Sequence, residues 1–512
     1  CASLRHYYLT CQSSEMFSFV LLCFVLGTYV VWTKYGRRGY DYKLPPAYPG
    51  KLPIIGRNVF ICTYSGLWQR VKSISEESSK NGGVITMNLG MQLYYMITDP
   101  DDALAAANAC RQKHFAYDFA KPWLGQGLIT GSGKVWMRHR KLMTPAFGLP
   151  VVHSFLGVFN SQARKLVELL QDKPGEPFDH TVYLKNITLE TFCLTGFGIS
   201  TLDDPDFINK YMEATEIILR ILIKRFQNVW LQSEFIFYLC GLQKEQDAVL
   251  KILNDMSYKV IIIQKKKAAL KSGLILENDI PMRGSGIKYK PLLDLLMELS
   301  EDNILTDQEI REEVDTAIMA GFDTTSSMLS YIMILLGTHP EVQEKLHDEI
   351  QKVFTTDRDV SKEDLPRLVY TEAVIKESLR IFTIAPVSLR YVDKSVKLKS
   401  YTMRPGSQCV LFLCGINRSA AWGEDADSFR PERWLDPATL PANPNACAGF
   451  SLGARSCLGK TYAMISMKTT LVHFIRRYRV RADDSRLQLS MDFLLKPVSG
   501  HEITIQNRLY EG

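Results

Sequence analysis

Ten residues near the C-terminal end constrain this chain more than any other stretch: Phe450-Ser451-Leu452-Gly453-Ala454-Arg455-Ser456-Cys457-Leu458-Gly459. One thiol is framed by two glycines, with an aromatic seven residues before it and an arginine two before. The glycines permit tight turns and close approach of a flat partner. A helical pattern follows over 458–478, so Cys457 is expected where a loop enters a helix. Amide N–H groups and the helix dipole there should stabilise an anion and lower the thiol pKa. A thiolate so placed suits a metal ligand or a nucleophile, whereas an isolated cysteine is most often a small buried hydrophobe. A nucleophile lacks a base: His473, sixteen residues on, is the only histidine nearby. A zinc site needs other Cys or His at short spacing, and only Cys447 is close. What remains is a single thiolate holding a metal that brings its other ligands with it.

Haem fits that description, because a thiolate-ligated haem iron is set up for O–O cleavage. Several further stretches bear on it. Trp136 and Arg140 stand four apart on one helix face, an indole N–H and a guanidinium that together suit a carboxylate. By itself the segment also reads as a solvated basic helix, with His139 an ordinary polar residue. Thr306-Asp307-Gln308-Glu309 is a capping box opening a helix that runs to about Thr338, where His339-Pro340 stops it. Its middle, Ala320-Gly321-Phe322-Asp323-Thr324-Thr325, is poor helix material, so the helix should weaken there. Glu377 and Arg380 stand at i and i+3, which by itself is a routine surface pair.

Taken together, these motifs resemble the cytochrome P-450 haem-thiolate monooxygenases, over the chain from about Met16 to its end. The resemblance implies a mainly α fold with a minor β-sheet region, in a single catalytic domain. It implies haem b, held without covalent links except the Cys457–iron bond. Phe450 would shield the sulfur, backbone N–H groups after Cys457 would hydrogen-bond it, and Arg455, Trp136, Arg140 and Arg390 would hold the propionates. Gly321 would loosen the helix to make room for dioxygen, with Asp323 and Thr324 delivering protons. Glu377, Arg380 and Arg433 would form a buried triad bracing the cysteine loop. Electrons would come from a membrane-bound NADPH-dependent P-450 reductase, with cytochrome b5 as an accessory donor, docking near Lys460, Arg476, Arg477 and Arg479. Glu312-Glu313-Val314-Asp315-Thr316 and the run from Trp136 to Phe147 look like the fourth family's clan in animals. That clan includes fatty-acid ω-hydroxylases and insect enzymes acting on hormones, odorants and toxins. Some fatty-acid members carry a haem-esterifying Glu, and this chain has Ala320 there. Asn417-Arg418 replaces the more usual His-Arg. A haem-thiolate isomerase or dehydratase is the rival enzyme, though such members often lose the acid–alcohol pair that is intact here. A non-catalytic haem carrier is the rival of another class.

Organisation along the chain agrees with this. The 512 residues are 46 % apolar, enough for a large core, and the net charge of +6 comes from scattered residues, which argues against nucleic acid. Eleven cysteines at irregular spacing favour reduced thiols. Residues 16–32 carry no charge, and at ~1.5 Å per residue span about 25 Å, just enough to cross a thin bilayer. Lys34, Arg37 and Arg38 follow, leaving the body cytosolic. A cleaved signal peptide is disfavoured by the length of the run and the lack of a small-residue cleavage site. We therefore expect a leading segment (1–15), a transmembrane anchor (16–32), a basic and Pro-rich linker (33–56) and the catalytic domain (57–512), single-pass in the endoplasmic reticulum membrane. Within the body, 84–89 and 93–97 read as a hairpin and 270–290 as a flexible connection. The aromatic segments 115–119 and 211–240 fit either core packing or substrate and membrane contact. The turn at Arg404-Pro405-Gly406 and a hairpin between about 493–495 and 502–505 fit a β-rich substrate wall.

Overall fold

The computed structural model describes residues 42–49, 66–89, 92–200, 205–273 and 290–508, together with Gly27. The leading segment, the anchor, much of the linker and most of the 270–290 connection lie outside them. Helices dominate, with small sheets on one flank, as expected.

Five helices position the site: α1 (Gly133–Met143), α2 (Thr181–Phe192), α3 (Asp307–Thr338), α4 (Val369–Ile381) and α5 (Lys460–Arg477). The central one is α3. Both halves of its capping box form: Glu309 N donates to Thr306 Oγ1 at 3.2 Å, and Thr306 N donates to Glu309 Oε2 at 2.8 Å. Among the described residues α3 is the one helix long and apolar enough to cross a membrane, but its apolar window is 83 % buried, so it serves as a core helix.

Strands β1 (Val84–Leu89), β2 (Gln92–Ile97), β3 (Gln112–Lys113), β4 (Val387–Tyr391) and β5 (Gln408–Phe412) form one sheet in the order β1-β2-β5-β4-β3. The expected hairpin is present, with Val84 opposite Ile97. The described part of the linker docks against β1, Tyr48 N donating to Thr86 O at 2.8 Å; prolines suit such an edge. The late hairpin differs from expectation. β7 (Gln488–Met491) pairs with β8 (Leu495–Ser499), whereas β9 (Ile503–Asn507) pairs with β6 (Tyr478–Ala482). Residues 493–495 and 502–505 therefore belong to two sheets, because the short turn 492–494 closes β7 on β8 first.

Glu377 of α4 lies fully buried and accepts from Arg380 Nε at 2.9 Å, Arg433 Nε at 2.8 Å, Trp434 Nε1 at 2.9 Å and Arg430 N at 3.0 Å. Arg380 continues to Asn417 O at 3.2 Å. The Asn417 amide bridges Thr383 Oγ1 and Ala448 N, both at 2.7 Å. Asn417 thus links the triad to the start of the cysteine loop, a role its sequence position did not suggest. Replacing Glu377 by Gln should cost on the order of 3–5 kcal/mol in chemical denaturation, since two buried guanidinium groups lose their counter-charge.

Burial pushes His114 down to about 3 and His180 and His473 to about 4, so all three stay neutral in the folded chain. Below about pH 6.5 the unfolded chain binds protons at these three histidines that the folded chain refuses. This outweighs the opposite contribution of Asp315, whose carboxyl burial raises to about 7, so stability should fall from pH 6.5 to 5. His139 and His501 are shifted upward, and their contribution is already complete below that point. Urea midpoints across this window should show the decline. His473→Gln, remote from the cavity, should flatten it by up to about 1.4 kcal/mol per pH unit.

Candidate active site

An apolar cavity of about 490 Å3 lies between α3 and the cysteine loop. Phe450, Cys457 and Gly459 of the loop and Ala320, Gly321 and Thr324 of α3 line it. The loop is built by backbone: Cys457 N donates to Phe450 O at 2.9 Å and Ser451 N to Ala448 O at 2.9 Å. Ser451 and Gly453 both adopt left-handed φ, 64° and 68°. At Gly453 a Cβ would meet Asn108 Oδ1 at 2.7 Å, so glycine is required on two counts. The helix α5 starts at Lys460, two residues later than the sequence pattern suggests, with Gly459 as its N-cap.

The thiol does not behave as expected for a helix entrance. Burial pushes the Cys457 thiol up, although the Gly459 N–H, Arg140 and Lys460 oppose this. By surface area Cys457 is nevertheless exposed, and a metal bound at the sulfur would deprotonate it outright. Cys457 is reached from the cavity.

Five basic side chains line the cavity, the exposed Arg70 and four others: Lys113, Arg140, Arg390 and Arg455. Arg140 Nη1 donates to Ser456 O at 2.8 Å. Arg455 donates to Arg111 O at 2.8 Å and to Gly131 O at 2.7 Å, and its guanidinium lies 4.2 Å from the centre of the Trp136 ring. Arg390, 1 % exposed, donates through Nη1 to Ser388 Oγ and Leu389 O, while its Nε has no partner. Lys113 faces Arg390 directly across the β3–β4 pair. Like charges opposite one another are unfavourable. Burial, and then Arg390 and Arg455, push the Lys113 ammonium well down. No ion pair with a carboxylate is recorded for any of the four among the described residues. An orphaned buried N–H and unneutralised cations beside an apolar slot fit a flat group carrying carboxylates. Haem meets that requirement. Lys113 escaped the sequence reading because only its pairing with Arg390, far along the chain, brings it here.

The helix α3 runs through Ala320–Thr325 without a break, contrary to the expected weakening. Thr324 Oγ1 donates to Ala320 O at 2.8 Å and Thr325 Oγ1 to Gly321 O at 3.1 Å, bonds made within the helix rather than in competition with it. Gly321 instead admits a neighbour: a Cβ there would meet the Phe192 ring of α2 at 2.3 Å. Thr324 lines the cavity, whereas Asp323 is 2 % exposed and pairs with Lys496 Nζ at 2.8 Å.

His139 is no surface residue. It is wholly buried, its Nδ1 2.7 Å from Glu313 Oε1 and its Nε2 3.3 Å from Glu309 Oε1, clamping α1 to the start of α3. The ambiguous aromatic segments divide by position: Ala116, Tyr117, Ile223 and Phe226 line the cavity, while Trp230, Phe235, Tyr238 and Leu239 are exposed. Of the proposed basic docking residues, Lys460 and Arg477 are exposed. Arg476 is buried against Asp357, and Arg479 pairs with Glu344 at 2.9 Å, so those two charges are already engaged.

Comparison with known proteins agrees with this geometry. The sequence profile of Cytochrome P450 matches residues 46–505. Among curated relatives, Cytochrome P450 4c21 of Blattella germanica is 31 % identical over 485 residues, covering 93 % of this chain and 96 % of that protein. Cytochrome P450 4c3 of Drosophila melanogaster is 29 % identical, covering 95 % and 94 %. Cytochrome P450 4V2 of Mus musculus is 27 % identical, covering 94 % of each. The chain belongs to the cytochrome P450 family, whose members are monooxygenases that use haem b held by a cysteine thiolate.

Proposed function

We propose that this chain inserts one atom of O2 into an apolar small molecule, with electrons passed from NADPH by a membrane-bound reductase. The observation that carries this reading is the shared cavity: a thiol, an alcohol and a cluster of basic side chains line one apolar space. Haem b bound through a thiolate supplies the oxygen chemistry.

The protein's part is to bind, orient and deliver protons. Cys457 is the proposed iron ligand, its sulfur steadied by the Gly459 N–H and covered by Phe450. Arg140, Arg390, Arg455 and Trp136 are assigned to the propionates, and Lys113 joins them. Ala320 has no carboxyl group, so an ester link to the haem is not available at that position. Thr324 is assigned to hold a proton at Oγ1 on the cavity wall, resupplied by Asp323. The apolar lining, including Phe226, Ile223 and Phe493, excludes water and selects a hydrophobic substrate. A fatty acid, hormone, odorant or xenobiotic meets that requirement.

Trp230, Phe235, Tyr238 and Leu239, 63–70 % exposed, support contact with a lipid surface, in keeping with an anchor at 16–32 and residence in the endoplasmic reticulum membrane. Lys460 and Arg477 remain as exposed cations for an acidic reductase face, with cytochrome b5 as an alternative donor.

Two measurements test this reading. The ferrous carbonyl complex of the purified chain should show the red-shifted Soret band of thiolate ligation, and Cys457→His should abolish it; an unshifted wild-type band, like that of a histidine-bound globin, would exclude Cys457 as the ligand. Reconstituted with reductase, NADPH and O2, the chain should form oxygenated product, and Thr324→Ala should lose roughly 10- to 100-fold of product per NADPH while NADPH is still consumed. Unchanged coupling would remove Thr324 from proton delivery.

A further inference from the structure

A half-buried lysine beside the cavity has no place in the scheme so far. Lys496 lies on β8, its side chain 18 % exposed, with Nζ 2.8 Å from Asp323 Oδ2 and 3.7 Å from Asp492 Oδ2. The contact with Asp323 is an ion pair without the angle of a well-formed hydrogen bond, as suits a rotatable ammonium. Burial acts to discharge Lys496, but Asp323 and Asp492 more than offset it and hold the ammonium above the ordinary lysine range. Glu216, on the helix Pro205–Gln227, adds a weaker negative field and is itself paired with Lys185 at 2.6 Å.

The two carboxylates belong to different parts of the site. Asp323 is on α3, next to cavity-lining Thr324. Asp492 is at the tip of the β7–β8 hairpin, where it lines the cavity with Phe493 and Leu494. That tip is well defined: Leu494 N donates to Asp492 Oδ1 at 2.8 Å and Leu495 N to Ile384 O at 2.8 Å. Burial pushes the Asp492 carboxyl up, against the pull of Lys496. One ammonium therefore serves two acids, Asp323 buried and Asp492 half-buried.

We propose that Lys496 is the positioning residue for Asp323, fixing its carboxylate behind Thr324, and that the ammonium shared with Asp492 couples whatever occupies the hairpin end of the cavity to the setting of Asp323. This rests on the reading of Asp323 as proton source. Without the ammonium a buried carboxylate is stranded, and it must turn away or take up a proton. A ligand pressing on the hairpin tip shifts Asp492 and alters its share of the same charge. The hairpin thereby reports occupancy to the residue that supplies protons.

The test uses reductase-reconstituted holoenzyme, with lauric acid as the apolar probe and haem retention checked by the ferrous carbonyl spectrum. Lys496→Met should raise hydrogen peroxide released per NADPH roughly tenfold, less than the loss of a proton-transfer group itself, and Lys496→Arg should restore it. Infrared pH-difference spectra of the purified protein give a readout apart from turnover: the carboxylate bands that Asp323→Asn removes should move in Lys496→Met and return in Lys496→Arg. If Asp323→Asn raises peroxide while Lys496→Met changes neither readout, the inference falls and the Asp323 reading stands. If Asp323→Asn itself leaves peroxide unchanged, the Asp323 reading falls and takes this one with it. Asp492→Asn keeps the ion pair and decides the coupling even where Lys496→Met fails to retain haem: the change in peroxide yield on adding lauric acid should be lost, and an undiminished response overturns the proposal.

Discussion

The buried carboxylate of Glu377 is the contact on which the geometry of the thiol depends. An unpaired charge so deep would cost several kcal/mol, so Glu377 holds the Arg380 guanidinium three residues on and gathers a second guanidinium, an indole N–H and a backbone N–H from a segment more than fifty residues away. Arg380 also donates to Asn417 O; the Asn417 amide holds the Ala448 N–H, and Ala448 in turn anchors the turn at Ser451. A charge pair at i, i+3 that would be worth little on a surface becomes, once buried, the brace of the cysteine loop.

The cavity resolves two opposed demands. It must be apolar to exclude water, yet it concentrates positive charge along part of its wall. Lys113 opposite Arg390 on paired strands is unfavourable in the protein alone, and partial enclosure opposes charge on the Cys457 sulfur. Both costs are relieved by one kind of partner, a flat metal complex with carboxylate arms. The site thus stores specificity for its cofactor as unmet electrostatic demand rather than as shape alone.

Much of this was legible in the chain. The glycine-framed thiol, the capping box, the β1–β2 hairpin and the thirty-two-residue helix are all local patterns, and each formed where the pattern lies. Misreadings came where tertiary contact outweighed local propensity. The Gly321–Thr325 segment stayed helical because its threonines bond back to their own helix and Phe192 fills the space beside Gly321. His139 read as an ordinary polar residue, because its partners, Glu309 and Glu313, lie about 170 residues further on.

By itself the sequence determined which chemistry the chain carries: its reactive sulfur, its acid–alcohol pair and its helical framework follow from residue type and short-range spacing. Only the tertiary structure decided the electrostatic company of those groups. Lys113 beside Arg390, Lys496 against Asp323, and Asn417 beneath the cysteine loop are pairings across tens to hundreds of residues. Charge interactions act through space and strengthen as water is excluded, so they are set by the packing of distant segments, which spacing along a chain does not encode.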